Sequence, residues 1–209
     1  MTAPSFNSHA TDALQVQLRK QQLRQQLRAQ RRTLTFSQRS AAARASALQL
    51  RHHSLFLRAR HVACYLASDG EMDCGQIIRL CWRLGKCVYV PITQSGEMIF
   101  RRYNQGNKLR RGGFDLLEPL PSSPTVMPAQ LDLVLLPLVG FTRQGERLGM
   151  GGGYYDRCFA DRRIRRHRPT LLGLAHSFQE LDSLPSLPHD RSLDGIVTER
   201  EFWLRGSRC

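Results

Sequence analysis

Residues 131–140, LDLVLLPLVG, are almost continuously apolar and empty into GERLGMGGGYYDR over residues 145–157. A strand apolar at successive rather than alternate positions is buried on both faces, as happens inside a parallel sheet covered by helices. The five glycines of the loop (Gly145, Gly149, Gly151, Gly152, Gly153) let backbone N–H groups converge on an anion without interference from Cβ. A helix starting near Gly153 would add the positive end of its dipole. Arg147 supplies a fixed charge, and Asp156 supplies a carboxylate suited to Mg²⁺ carried on phosphates. A glycine-rich turn without a ligand is the alternative; glycine, Arg147 and Asp156 together favour the anion site. Neither G-x-x-x-x-G-K-[ST] nor G-x-G-x-x-G is present.

The rest of the chain alternates in the same sense. Strands are predicted over residues 61–67 (HVACYLA), 86–92 (KCVYVPI) and 98–103, and a helix over 73–84 with Asp73 as N-cap and Gly85 as its stop. Residues 120–128, rich in Pro and Ser, read as a surface connector. The expected fold is therefore α/β: a mostly parallel sheet covered by helices on both faces, Rossmann-like and three-layered, with sites at the carboxyl ends of strands. Glu71 stands on such a loop, where the competing reading is an acid that opens a helix.

An N-terminal helical pair precedes the sheet. Val16, Leu23, Leu27 and Leu34 share one narrow helical face, and Lys20, Arg24, Arg28 and Arg31 border it. Docking that face would bring the cations to the body of the protein, although ordinary snorkelling gives the same pattern. Arg39 lies outside the stripe, and Ser37 is expected to cap a second helix over residues 38–57. Residues 1–15 are expected to form a disordered extension and residues 16–209 a single domain.

The net charge of +14 suggests a nucleic-acid protein until it is located. Residues 1–60 hold eleven Lys or Arg against the single acid Asp12, whereas the other 149 residues hold twenty against sixteen. No basic stretch is interleaved with stacking aromatics, and the run 162–168 (RRIRRHR) reads as a solvated connection. The six cysteines show no metal-site spacing, and no export signal or run of about 18 apolar residues is present. Reduced thiols, a cytoplasmic location and no membrane partner are expected.

The segment from Pro137 through Phe141 to Arg157 closely resembles the hallmark of the 5-formyltetrahydrofolate cyclo-ligase family: a strand ending in Pro, an aromatic residue, then G-x-R-L-G-x-G-x-G-Y-Y-D-R. Other segments are similar too. Lys20 and Arg24 match K-x-x-x-R; Glu71-Met72-Asp73-Cys74 matches E-[aliphatic]-x-T with Cys74 in place of Thr. Residues 113–119 match G-x-x-G-[IL]-x-E-P with Asp115 where glycine is usual, and Gln179 and residues 188–199 match the closing element. The resemblance implies conversion of 5-formyltetrahydrofolate to 5,10-methenyltetrahydrofolate with ATP and Mg²⁺. It implies that Lys20, Arg24, Arg147, Gly149, Gly151, Gly152, Gly153 and Tyr155 hold ATP, and that Leu66, Glu71, Met150 and Tyr154 hold the folate. By the same resemblance Asp156 and Asp190 hold Mg²⁺, and Arg147 and Tyr154 act at the reacting centre. A monomer is expected. Two rivals are another ATP-using ligase on the same fold and a basic RNA-associated protein without catalysis.

Overall fold

A computed structural model of the chain describes residues 8–113, 116–160, 168–185 and 190–206, with side chains from Leu14 onward. Asp115, His189, Cys209 and residues 162–167 of the basic run lie outside them. Three helices come first, α1 (Ser8–Arg32), α2 (Phe36–Arg51) and α3 (Ser54–Arg58). The α1 helix takes in residues 8–15, which were expected to belong to a disordered extension. Thr35, not Ser37, caps α2: its hydroxyl accepts from Gln38 N at 3.3 Å while Gln38 Oε1 accepts from Thr35 N at 2.8 Å. The expected second helix is two, because the chain breaks at His52 and His53 Nδ1 then accepts from Leu55 N to start α3.

The sheet strands follow as β1 (His61–Ala63), β2 (Cys87–Gln94) and β3 (Glu97–Arg102), with α4 (Gly75–Arg83) between the first two. A hairpin of β4 (Leu109–Arg111) and β5 (Leu117–Pro119) and the short β6 (Thr125–Val126) lead to β7 (Leu133–Pro137). The connector expected over 120–128 thus contains an edge strand. A second ribbon, β8 (Gly140–Phe141) with β9 (Arg147–Leu148), precedes α5 (Tyr154–Ala160), β10 (Thr170–Leu174), β11 (Gly195–Val197) and β12 (Phe202–Leu204). The main sheet has the order β12-β11-β10-β7-β1-β2-β3-β6. Its five central strands are parallel, and β12, β3 and β6 are antiparallel additions.

The apolar run of β7 is explained by burial on both sides. Leu133 and Leu135 pack with Leu50, Phe56, Ile77 and Cys81 of α2, α3 and α4, whereas Val134 and Leu136 pack with Phe100, Ile196 and Phe159 of α5. Each such side chain contributes about 1.5–3 kcal/mol by leaving water. Gly173 in β10 makes room in this core: a Cβ there would lie 2.6 Å from both Ile196 Cδ1 and Leu138 Cδ2. Among the described residues no helix is long and apolar enough to cross a membrane.

Strand order reverses at β1, since the chain proceeds from β1 to β2 on one side and later to β7 and β10 on the other. The loops leaving β1 and β7 therefore part at their carboxyl ends and leave a crevice, the usual ligand position of open α/β sheets. The α1 helix lies across this point. Leu23 and Leu27 pack with Val139, Leu148 and Leu184, and Gly140 admits Leu27, whose Cδ1 would be 2.9 Å from an added Cβ.

Candidate active site

The loop after β9 combines exposure with backbone only glycine adopts readily. Gly151 and Gly153 have φ of 103° and 63°, and Gly151 and Gly152 are open to solvent. The helix expected near Gly153 starts at Tyr154 and runs for 7 residues. From α1, Arg24 Nε donates to Gly149 O at 2.8 Å, and its guanidinium lies beside Gly151. Burial lowers the pKa of Arg24 against the opposing pull of Asp190. One turn earlier, Lys20 Nζ is 2.6 Å from Asp190 Oδ2 and almost fully buried.

Asp156 in the first turn of α5 accepts from Arg147 Nη2 at 2.5 Å and from Arg191 N at 3.0 Å, both on Oδ1. Because Arg191 follows Asp190, this bond sets the two carboxylate-bearing segments side by side. Lys20, Arg24, Arg147, Gly149–Gly153, Asp156 and Asp190 thus form one cluster from three separate parts of the chain. Arg147 lies beneath the loop as the partner of Asp156, and its Nε is buried without a hydrogen-bond partner. Arg157 Nη1 donates to Gly152 O at 2.8 Å and its guanidinium sits 4.9 Å over the Tyr154 ring, which orients that ring at the end of the loop. Met150 is half exposed at the rim.

On the β1 side, β1 ends at Ala63, earlier than expected, and the chain continues irregularly to Glu71. The Glu71 carboxylate accepts from Ser68 N at 3.0 Å. Burial pushes its pKa above the ordinary carboxylate range, against hydrogen bonding from Ser68 and the charge of Arg31. Tyr155 stacks on Phe159, and burial and then the charge of Glu71 push its phenol far above its usual pKa. Leu66 packs partly buried against the core that holds Met72 and Cys74.

The Thr-to-Cys change has a local account. Cys74 stands at the N-cap of α4 with no side-chain cap bond, and Asp73 Oδ1 accepts from Gly75 N at 2.9 Å instead. Asp73 does the capping one residue before the helix's cap position. The Cys74 thiol is free and buried, and its contact with the Cys64 thiol helps raise the Cys64 pKa.

Sequence reasoning missed Asp69, on which Arg28, Arg31 and Arg32 all converge, and Arg191, which fastens Asp156. The Asp69-Gly70 dipeptide was a turn signal, but its partners lie about forty residues away and left no trace in spacing. Arg39, outside the apolar stripe, donates to Leu34 O at 2.7 Å and ties α2 to the end of α1.

Chemically, the crevice offers a half-buried acceptor on one wall and a cationic, glycine-lined cradle with two carboxylates on the other. A donor-bearing heterocycle suits the first and a polyphosphate the second. No group of three or more His, Cys, Asp or Glu side chains placed for a metal occurs among the described residues. A pair of carboxylates with phosphate and water oxygens is the usual setting for Mg²⁺.

Comparison with known proteins gives the same direction. The model of the 5-formyltetrahydrofolate cyclo-ligase family matches residues 16–199. The 5-formyltetrahydrofolate cyclo-ligase of Escherichia coli K12 is 33% identical over 181 residues, 85% of this chain and 98% of that protein. That of Haemophilus influenzae is 32% identical over 86% of this chain and 97% of its own length. The solved structure of Aquifex aeolicus 5,10-methenyltetrahydrofolate synthetase superposes with a TM-score of 0.78 at 27% identity, covering 91% of this chain and 94% of that one.

Proposed function

The chain belongs to the 5-formyltetrahydrofolate cyclo-ligase family, and on that premise we propose that it closes 5-formyltetrahydrofolate to 5,10-methenyltetrahydrofolate with ATP through the crevice between β1 and β7. The site assignment is supported by α1, which carries Lys20 and Arg24 to Asp190 and Gly149 and, further along, Arg28 and Arg31 to Asp69 on the loop that bears Glu71, beside the reversal of strand order. The formyl oxygen attacks the terminal phosphorus and the bond to ADP breaks. The neighbouring folate nitrogen then attacks the formyl carbon, its proton leaves, and phosphate departs with the oxygen. Such transfer needs positioning and charge more than a protein nucleophile.

The Glu71 carboxylate, half-buried, accepts hydrogen bonds from the pterin edge, with Leu66 and Met150 bordering the ring. Lys20 and Arg24 face the phosphates across the open loop, whose N–H groups supply further donors. Arg147 orients Asp156 and lends its buried positive charge; its unpartnered Nε leaves a donor in the cluster. Tyr154 lines the junction of the two substrates. Tyr155, next along α5, is kept at the nucleotide, where the charges of both Glu71 and Arg147 act on its phenol. Asp156 and Asp190 would hold Mg²⁺, which when bound supplies charge neutralisation at the phosphates.

All these groups come from one chain, so a monomer suffices. The described cysteines are free thiols, in keeping with a reducing compartment. The RNA-binding alternative loses its main support, because α1 is docked against the body of the protein, with Arg28, Arg31 and Arg32 gathered on Asp69 and Lys20 and Arg24 turned to the glycine loop. The deciding experiment follows the methenyl product spectrophotometrically from 5-formyltetrahydrofolate. Product is expected only with ATP and Mg²⁺ together; turnover without ATP, or none with it, overturns the reading.

A further inference from the structure

The loop that aims Glu71 is a four-residue turn whose second residue, Asp69, has no part in the chemistry above. Glu71 N donates to Ser68 O at 2.9 Å, and Asp69 and Gly70 have φ of 48° and 74°, as in a type I′ turn. The Glu71 carboxylate reaches back to Ser68 N, so the direction of that carboxylate is a property of the turn. The turn in turn is held from α1. Arg28 Nε and Arg31 Nη2 donate to Asp69 Oδ2 at 2.8 and 3.0 Å, and Arg32 Nε donates to Oδ1. Arg31, fully buried, also donates to Asp69 O at 2.8 Å and to Leu138 O just past β7 at 3.4 Å. A Cβ on Gly70 would lie 3.0 Å from Arg31 O, so helix and turn touch at the backbone. Burial alone would raise the pKa of Asp69, but the hydrogen bonds and charges of the arginines outweigh it and hold the carboxyl at about 2.

The same unbroken helix places Lys20 on Asp190 and Arg24 on Gly149. At 1.5 Å per residue, Arg24 and Arg31 stand only about 10 Å apart on one rigid rod. One end of that rod therefore grips the nucleotide cradle and the other grips the turn that carries the folate carboxylate.

We propose that Asp69 is a positioning residue that couples the two substrate sites: a nucleotide seating Lys20 and Arg24 seats α1, and α1, through Asp69, sets Glu71 for the folate. Coupling of this kind is reciprocal, so folate must tighten the nucleotide by the same factor. The proposal rests on the cyclo-ligase reading, and its test separates the two. With the full chain, the Kd of 5-formyltetrahydrofolate is measured alone and with saturating non-hydrolysable ATP analogue and Mg²⁺, and the reverse titration is run. The wild type is expected to show each ligand tightening the other at least about fivefold. Asp69→Asn keeps the shape and tolerates a positive φ, so it removes the charge and not the turn. In it the coupling factor should fall towards one, with the KM of both substrates rising. Arg28→Gln removes one guanidinium and leaves Arg31 in place, giving a smaller fall in the same factor should Asp69→Asn not fold. A coupling factor in Asp69→Asn equal to wild type, with only thermal stability reduced, overturns the proposal, as does a wild-type factor of one. Wild-type turnover is read on the same preparation, and its absence overturns the cyclo-ligase reading instead.

Discussion

Replacing Lys20 by methionine tests whether α1 belongs to the active site. Methionine keeps most of the stem and deletes the ammonium that sits 2.6 Å from Asp190. The lysine side chain is 9% exposed and the aspartate 26%, so the pair is only partly shielded from solvent. Breaking a fully buried pair costs about 3–5 kcal/mol and an exposed one about 0–1, which places this loss at about 1–2 kcal/mol. For a chain of this length each kcal/mol moves the melting temperature by about 2–4 °C, giving a fall of about 2–8 °C. The effect on ATP is separate. Losing one charged hydrogen bond to phosphate costs about 1.5–3 kcal/mol, or roughly a 10- to 150-fold rise in the ATP KM. Thermal melts followed by circular dichroism and steady-state kinetics at saturating folate give both numbers. Arg44→Ala is the control, since Arg44 is exposed and, among the described residues, donates to Ser40 Oγ on its own helix. A melting temperature lowered as expected with an unchanged ATP KM would mean that Lys20 serves only as the counter-ion of Asp190, and the assignment of α1 to the nucleotide would be wrong.

Asp156→Asn should lower turnover about a hundredfold or more, because the carboxylate it neutralises is worth several kcal/mol through a bound cation; a Mg²⁺ titration with wild-type activity at low metal refutes this. Glu71→Gln should weaken folate binding by about 1–3 kcal/mol and leave the affinity for ATP alone little changed, read by titrating each ligand separately. Burial raises the Glu71 pKa, so the folded protein takes up this proton at a higher pH than the unfolded chain. Acidification towards that pKa therefore relieves a burial penalty while removing the anion the folate needs: wild-type folate affinity should fall over that range, and that of Glu71→Gln should stay flat. Gly173→Ala pushes a methyl to within 2.6 Å of Ile196 and Leu138, and overpacking of this kind should cost about 1–3 kcal/mol in a denaturant melt with folate KM unchanged.

Local features were legible where physics is local. The β7 run was readable because burial on both faces leaves only apolar residues, and the glycines after it because a positive φ selects glycine at Gly151 and Gly153. The stripe of Leu23 and Leu27 on α1 was readable from helical period. Boundaries were read less well. Ser37 and Asp73 were natural caps, but Thr35 took the first because Gln38 completes a capping box with it, and Cys74 took the cap position of α4 while Asp73 supplied the bond. The break at His52 divided a helix that propensity alone would have continued.

By itself the amino-acid order determined the α/β class, the glycine loop after β9 and, through a long motif, the family, since each depends on neighbours a few residues apart. Only the tertiary structure decided which charges meet. Lys20 and Asp190 are separated by 170 positions, and Arg28 and Asp69 by 41. Ion pairs across such distances follow from the strand order that opens the crevice at β1 and lays α1 across it. Side-chain type says that an arginine seeks an anion; the packing of the backbone says which anion is within reach.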